Sequence, residues 1–127
     1  MAMWIRRVLA VAVFVSAVIH LEQWIVVFRH TAVVGPAMLA NFAGGVVIAA
    51  LLLFWHHWAP LALAALFGAA TLGAFLTAVT VGLFGVHEHW TGWEIFTAAA
   101  VEIVAIIGGL AALPAERRRS PAVSRKG

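Results

Sequence analysis

Four long apolar runs constrain the fold of this chain more than any other feature of its sequence. They cover about residues 8–28, 35–55, 60–85 and 93–113. About 20 apolar residues are enough for a helix to cross the ~30 Å hydrocarbon core of a bilayer. Only helices and closed barrels satisfy their backbone polar groups there. Because the runs are rich in Ala, Leu and Val and do not alternate with period two, we predict four transmembrane helices.

Composition excludes the soluble classes of protein. Of the 127 residues, 65% are hydrophobic and 10% are charged, whereas a soluble domain is about 45–50% apolar and about 25% charged. The chain therefore has too little polar surface for a soluble enzyme or a disordered linker. It has no cysteine, which excludes disulfides, thiolate metal sites and lipidated cysteines.

The basic residues predict how the chain is oriented. Seven of the eight lie near the two ends of the chain: Arg6, Arg7, Arg117, Arg118, Arg119, Arg125 and Lys126. Positive charge flanking apolar spans marks the cytoplasmic side, so we expect a multi-pass protein of the cytoplasmic (inner) membrane with both termini inside. The same distribution makes the lipid bilayer the expected partner and argues against nucleic acid.

Short predicted connections between the spans indicate an all-α, up-down-up-down four-helix bundle. Pro36 and Pro60 lie near the starts of the second and third spans, and Pro114 is expected to end the fourth, because proline marks helix ends. We therefore predict one transmembrane domain over residues 1–114 and a disordered basic cytoplasmic tail over 115–127.

The first span has an alternative interpretation as a cleaved signal peptide. Two arginines, a short apolar stretch and the small residues of Val15-Ser16-Ala17 fit that pattern. Cleavage within residues 1–17 would leave three spans. Because the apolar run resumes at Val18 and continues to Phe28, we favour a retained first helix.

One polar residue from each predicted helix falls in the same layer of the membrane. With a rise of 1.5 Å per residue, His20 and Glu102 lie ~12 and ~13 Å below the outer boundary of the hydrocarbon, while Asn41 and Thr77 lie ~9 and ~12 Å below it. Glu22 falls in the same layer, but on the other side of the first helix from His20. The sequence therefore predicts a buried polar layer in the outer half of the bundle.

Glu102 is the most informative member of this layer, because a carboxylate inside a membrane costs roughly 2.5–3.5 kcal/mol and usually has a partner. His20 is the expected partner by depth, with Ser16 and Gln23 on the same helical face. Four interpretations remain open at this point. The pair fixes the packing of the helices, belongs to a path for protons or solutes, or belongs to a metal or cofactor site; or the two side chains do not meet.

A second cluster of candidate ligands lies in the predicted outer loops. His87 and His89 share one side of an extended segment, and Glu94 and His30 could complete a metal site with them, because imidazole and carboxylate bind zinc, copper or iron. The alternative is a solvated loop at the membrane surface. The sequence requires no cofactor, and bis-histidine haem is disfavoured because His20 is the only histidine deep in a span.

Several short motifs resemble small four-span membrane proteins of high-GC Gram-positive bacteria. The resemblance covers roughly residues 8–113 and lies in Gly35-Pro36, Asn41, Gly44-Gly45, Thr71-Leu72-Gly73, Gly82-Leu83-Phe84-Gly85 with Glu88, and Glu102. It implies a four-helix inner-membrane protein and brings no activity or cofactor with it.

Because almost nothing lies outside the predicted spans, we expect a non-enzymatic structural or accessory subunit, packed in a homo-oligomer or a larger membrane complex. The alternative is a transporter or a metal- or cofactor-binding membrane protein that uses the buried His/Glu cluster. A membrane-embedded enzyme is a third interpretation, without a recognisable catalytic motif to support it.

Overall fold

The computed structural model describes residues 2–89 and 91–126, with side chains described from residue 3 to 118. Its elements are α1 (Ala2–Gln23), a π-helical turn (Trp24–Phe28), α2 (Val34–Phe54), α3 (Ala59–Thr80) and α4 (Trp93–Lys126). Each helix contains a stretch long and apolar enough to cross a membrane: Met3–Phe28, Val34–Phe54, Ala59–Thr80 and Trp93–Arg118. The prediction of an all-helical chain with four such helices is confirmed.

Contacts between the helices show how they run relative to one another. Helix α1 packs against α2 and α4, and α3 packs against α4, while the α2–α3 interface is smaller. Arg6 meets the end of α2 at Leu52, whereas Ala17 lies against Gly45, so these two helices are antiparallel. The bundle is therefore tightly packed on three sides and looser between α2 and α3.

Two glycines allow α3 and α4 to approach closely. A Cβ at Gly68 would lie 2.6 Å from the backbone oxygen of Glu102, and a Cβ at Gly109 would lie 2.6 Å from the backbone oxygen of Leu61. Small residues at such crossings let van der Waals packing hold helices together in lipid. The Gly68 contact also fixes the height of Glu102 relative to α3.

Arg6 holds together the end of the bundle that we call the Arg6 end, where the 55–58 connection lies. Its guanidinium is 1% exposed. It donates to the backbone oxygens of Leu52 (2.9 Å), Trp55 and His57 (3.1 Å) and pairs with Glu116 at 3.2 Å. Since the last carbonyls of a helix lack partners within it, Arg6 caps α2 while it ties α1 to α4.

The third helix ends earlier than predicted. It stops at Thr80 rather than near Gly85, and the connection that follows, residues 81–92, is longer than expected. Gly82, Phe84 and Gly85 all have positive φ angles there, a conformation incompatible with a continuing right-handed helix. We call this end of the molecule the loop end.

The prediction that the fourth helix ends at Pro114 is wrong. Helix α4 continues to Lys126, so residues 115–118 are helical instead of belonging to a disordered tail. A proline costs one backbone hydrogen bond inside a helix. Here the next turn is held by the Arg6–Glu116 ion pair. Beyond Arg118 the side chains of the predicted tail lie outside the described residues.

Candidate functional site

A cavity of about 280 Å³ lies between the four helices toward the loop end. Its volume is close to the lower end of the range of about 300–1,000 Å³ typical of small-molecule pockets. Most of the wall is apolar, from residues such as Ala74, Phe75, Ala98 and Ile95. The polar side chains on the wall are His20, Gln23, Asn41, Thr71, Glu88, Glu94 and Glu102. Most of the predicted polar layer therefore surrounds a real space.

Glu102 lies deep in this wall. The residue is 2% exposed, and the Ser16 hydroxyl donates a 3.1 Å hydrogen bond to its Oε2. A carboxylate has about four lone-pair positions, so one hydroxyl leaves most of its accepting capacity unused. Helices α1 and α4 position this pair, since Ser16 is itself buried at their interface.

His20 connects to Glu102 through Ser16 and not directly. Its Nδ1 lies 2.6 Å from the backbone oxygen of Ser16 and 3.5 Å from the Ser16 hydroxyl. Because a carbonyl only accepts, Nδ1 carries the hydrogen, and Nε2 is the accepting nitrogen of the neutral ring. The expectation of a direct His20–Glu102 pair is therefore wrong, although both side chains line the cavity.

Asn41 and Thr71 join α2 and α3 across the looser interface. The amide nitrogen of Asn41 donates to the Thr71 hydroxyl at 2.7 Å. The other end of the amide, Oδ1, is buried and has no hydrogen-bond partner among the described residues. An unpartnered buried acceptor costs free energy unless something supplies a donor.

Thr71 takes the place in this layer that the depth calculation assigned to Thr77. The Thr77 hydroxyl turns back onto its own helix and donates to the Gly73 carbonyl at 2.9 Å. The two threonines are six residues apart, about 9 Å along the helix axis, so the predicted position of the layer on the third helix is wrong by more than one turn. The depth was counted from a helix end near Gly85, whereas α3 ends at Thr80. Thr71 lies nine residues, or ~14 Å, from that end, which is close to the depth predicted for Thr77.

Glu22 and Gln23 occupy different surroundings although they are neighbours. Gln23 lines the cavity, and its amide nitrogen donates to Glu22 Oε1 at 2.9 Å. Glu22 itself is not among the lining residues. Glu22 therefore acts on the cavity only by orienting the Gln23 amide.

The loop end closes over the cavity with two further acidic residues, Glu88 and Glu94. The Glu88 amide donates to the Ala78 carbonyl at 3.0 Å, which folds the loop back onto the end of α3. Burial raises the pKa of the Glu88 carboxyl, and the nearby charge of His89 opposes this by lowering it. The sequence singled out Glu94 only as a metal ligand and did not assign Glu88 to the site.

The predicted loop metal site is not assembled. His87 packs its ring against Gly82, where a Cβ would lie 2.5 Å from the imidazole. His30 and His89 are exposed, and Glu94 faces the cavity. Among the described residues, which include all four candidates, no group of three or more histidine and acidic side chains could hold a metal ion.

Comparisons with protein-family models, curated proteins and solved structures found no match. The chemistry of the cavity therefore rests on its own side chains, which combine an apolar wall, a buried carboxyl and an unpartnered amide oxygen.

Proposed function

We propose that this protein is a membrane-embedded binding protein for a small, mostly apolar molecule. The site would be the cavity between the four helices, with the apolar walls from α2, α3 and α4 holding the body of the ligand. His20, Asn41 and Glu102 would hold its polar group. Of the interpretations that the sequence left open, this one is nearest to the transporter or metal- or cofactor-binding alternative that uses the buried His/Glu cluster, and it is a non-enzymatic function.

The observation that carries the proposal is the cavity itself, together with the unpartnered oxygen of Asn41 in the bridge between α2 and α3. A purely structural bundle needs the Ser16–Glu102 hydrogen bond but gains nothing from an open space beside it. Pockets with apolar walls and a few converging polar groups are the usual form of ligand sites.

We further propose that the chain lies in the cytoplasmic membrane with the Arg6 end inside and the loop end outside. The basic residues at the Arg6 end support this orientation through the positive-inside rule. Retention of the first helix is supported by its packing, since Leu9 and Val13 are fully buried and Arg6 caps α2. The cavity would then lie in the outer half of the bilayer.

Photolabelling tests the binding proposal. The full chain is placed in nanodiscs of phosphatidylcholine and labelled with 3-trifluoromethyl-3-phenyldiazirine, a neutral apolar probe. We expect saturable labelling of cavity residues on α3 and α4, mapped by peptide mass spectrometry and reduced by excess trifluorotoluene. Labelling confined to outward-facing side chains such as Leu66 and Ile107 would contradict the proposal.

A pair of matched variants on α3 separates the cavity from the outer surface. Ala74 lines the cavity, whereas Ala69 is also exposed but does not line it. Ala74→Leu adds volume to the cavity wall and is expected to reduce cavity labelling several-fold. Ala69→Leu is expected to leave it unchanged, and equal labelling of the two variants would count against binding in the cavity.

Orientation is tested with single cysteines, which are unambiguous because the chain has none of its own. His30 and His56 are both exposed, in the connections at opposite ends of the bundle. In intact cells an impermeant maleimide is expected to label His30→Cys but not His56→Cys. The reverse pattern would invert the proposed orientation.

A further inference from the structure

The hydrogen-bonding groups of the cavity are unequally satisfied. Three donors are already bonded within the protein: the Ser16 hydroxyl to Glu102, the Asn41 amide to Thr71, and His20 Nδ1 to the Ser16 carbonyl. The acceptors have fewer hydrogen-bond partners. Asn41 Oδ1 has none among the described residues, and the Glu102 carboxyl accepts from one hydroxyl. A ligand that donates hydrogen bonds would satisfy the groups that the protein leaves open.

The charges of the cavity wall have one sign. Its ionisable side chains are Glu88, Glu94, Glu102 and His20, with neither lysine nor arginine among the lining residues that the structure describes. Arg29 is the nearest arginine in sequence, but its guanidinium lies 5.7 Å from the Trp24 ring and bonds the Ile25 carbonyl. Among the described lining residues, the Glu102 carboxyl therefore has no lysine or arginine partner, while Glu88 lies near the charge of His89.

Glu102 on α4 and Asn41 on α2 both line the cavity, and both are positioned against α3. The backbone of Glu102 lies against Gly68, and the Asn41 amide is bonded to Thr71. Positions 68 and 71 are one turn apart, about 5 Å along the helix axis, so α3 holds the two acceptor residues at similar levels of the bundle.

Building on the proposed function, we propose that the ligand is a small amphipathic amine in its protonated form. Its ammonium group would donate hydrogen bonds to the Glu102 carboxylate and to Asn41 Oδ1. Its apolar body would extend toward the loop end between Ala74 and Ala98. A volume of about 280 Å³ restricts the ligand to a small one, such as a short alkylamine or an arylalkylamine.

Competition against the neutral diazirine tests the class of ligand. Hexan-1-amine, hexan-1-ol and hexanoate have similar apolar bodies and differ in charge and donors, and each is compared at equal membrane-partitioned concentration at pH 7. Because hydrogen bonds to charged groups are roughly twice as strong as neutral ones, we expect the amine to compete about tenfold better than the alcohol. Hexanoate is expected to compete least, because it would meet the acidic wall.

Variants identify the groups responsible. Glu102→Gln keeps the shape of the side chain but removes its charge, so the amine is expected to lose most of its advantage over the alcohol. Asn41→Ala removes the unpartnered oxygen and is expected to reduce the same advantage independently. Thr77→Val is the control and is expected to retain it, because Thr77 is outside the cavity wall and its hydroxyl bonds within its own helix. Labelling by the neutral diazirine reports whether each variant keeps its cavity.

The outcomes separate this inference from the proposed function. If the diazirine labels the cavity but the amine competes no better than the alcohol, the amine inference is wrong and the binding function stands. The inference would also be overturned if the amine still competed about tenfold better than the alcohol in both Glu102→Gln and Asn41→Ala. If the diazirine fails to label the cavity of the unmodified chain, the proposed function itself is wrong.

Discussion

Ser16 on α1 donates a 3.1 Å hydrogen bond to the carboxyl of Glu102 on α4. The backbone carbonyl of the same serine accepts from His20. A single residue thus orients both ionisable side chains at the deep end of the cavity. Both side chains also line the cavity, so Ser16 positions two of the polar groups of the proposed binding site.

Removing the Ser16 hydroxyl tests this arrangement. In Ser16→Ala, Glu102 stays buried but loses its donor, so we expect the free energy of unfolding to fall by about 1 kcal/mol. Titration with SDS in mixed micelles, followed by circular dichroism, measures the change. Thr77→Val is the control, because that hydroxyl bonds within its own helix. Equal losses in the two variants would mean that the link between α1 and α4 adds nothing specific.

Arg6 is expected to contribute more to stability than any other charged side chain described. Its planar guanidinium binds three carbonyls and Glu116 at once. The compact ammonium group of lysine has fewer donors and cannot make this set of hydrogen bonds. We expect Arg6→Met to lower the free energy of unfolding by about 3 kcal/mol, because it leaves Glu116 without this partner. Arg6→Lys is expected to lose less.

Arg7 provides the matched control for that prediction. It is the next residue along the chain and is exposed. Arg7→Lys is expected to leave the unfolding curve in the same mixed micelles unchanged. If Arg6→Lys and Arg7→Lys are equally stable, the hydrogen bonds at the Arg6 end do not hold the helices together.

Substitution of glycine by alanine is expected to have opposite effects at two positions of α3, Gly68 and Gly73. Gly68→Ala would bring a Cβ to 2.6 Å from the Glu102 backbone oxygen, so we expect a loss of about 1–3 kcal/mol as α3 moves away from α4. Nothing lies within 4 Å of a Cβ at Gly73. There the higher helix propensity of alanine is expected to be neutral or to stabilise by up to about 1 kcal/mol. Unfolding titrations of both variants decide whether this crossing is as close as described.

The loop end is expected to loosen as the pH rises. Because burial raises the pKa of Glu88 above its ordinary value of 4.5, the folded loop binds this proton more tightly than the unfolded loop does. Its stability is therefore greatest below 4.5 and declines as the pH rises through the raised value. Exchange of the Glu88 amide, corrected for its intrinsic rate, is expected to accelerate across this window.

Glu88→Gln provides the control for the pH effect, because its amide cannot titrate. The corrected exchange at position 88 is expected to become independent of pH in this variant. The Val81 amide, which bonds the Thr77 carbonyl, serves as an internal reference. A pH dependence that persists in Glu88→Gln would assign the effect to a group other than Glu88.

The four helices could be predicted from the sequence because length and apolarity are properties of each segment alone. That His20, Asn41 and Glu102 lie around one space could be predicted for the same reason, since the level of a residue follows from counting along its helix. The count fails where a helix end is misplaced. Because α3 ends at Thr80 and not near Gly85, the cavity wall contains Thr71 instead of Thr77.

The other differences arise from contacts between distant segments. Arg6 was interpreted only as an orienting charge, because its partners Leu52 and Glu116 are far away in the chain. The same ion pair holds the turn after Pro114. The cavity itself results from the loose α2–α3 interface, a property of the whole bundle that no segment reveals by itself.

Protection of a cysteine in the cavity wall tests the binding of a ligand there most directly. Ala98 lines the cavity, while Ala100, two residues along α4, is exposed outside it. In nanodiscs we expect hexan-1-amine to slow the reaction of Ala98→Cys with methyl methanethiosulfonate in a saturable manner and to leave Ala100→Cys unaffected. Equal reaction rates with and without the amine at both positions would contradict binding in the cavity.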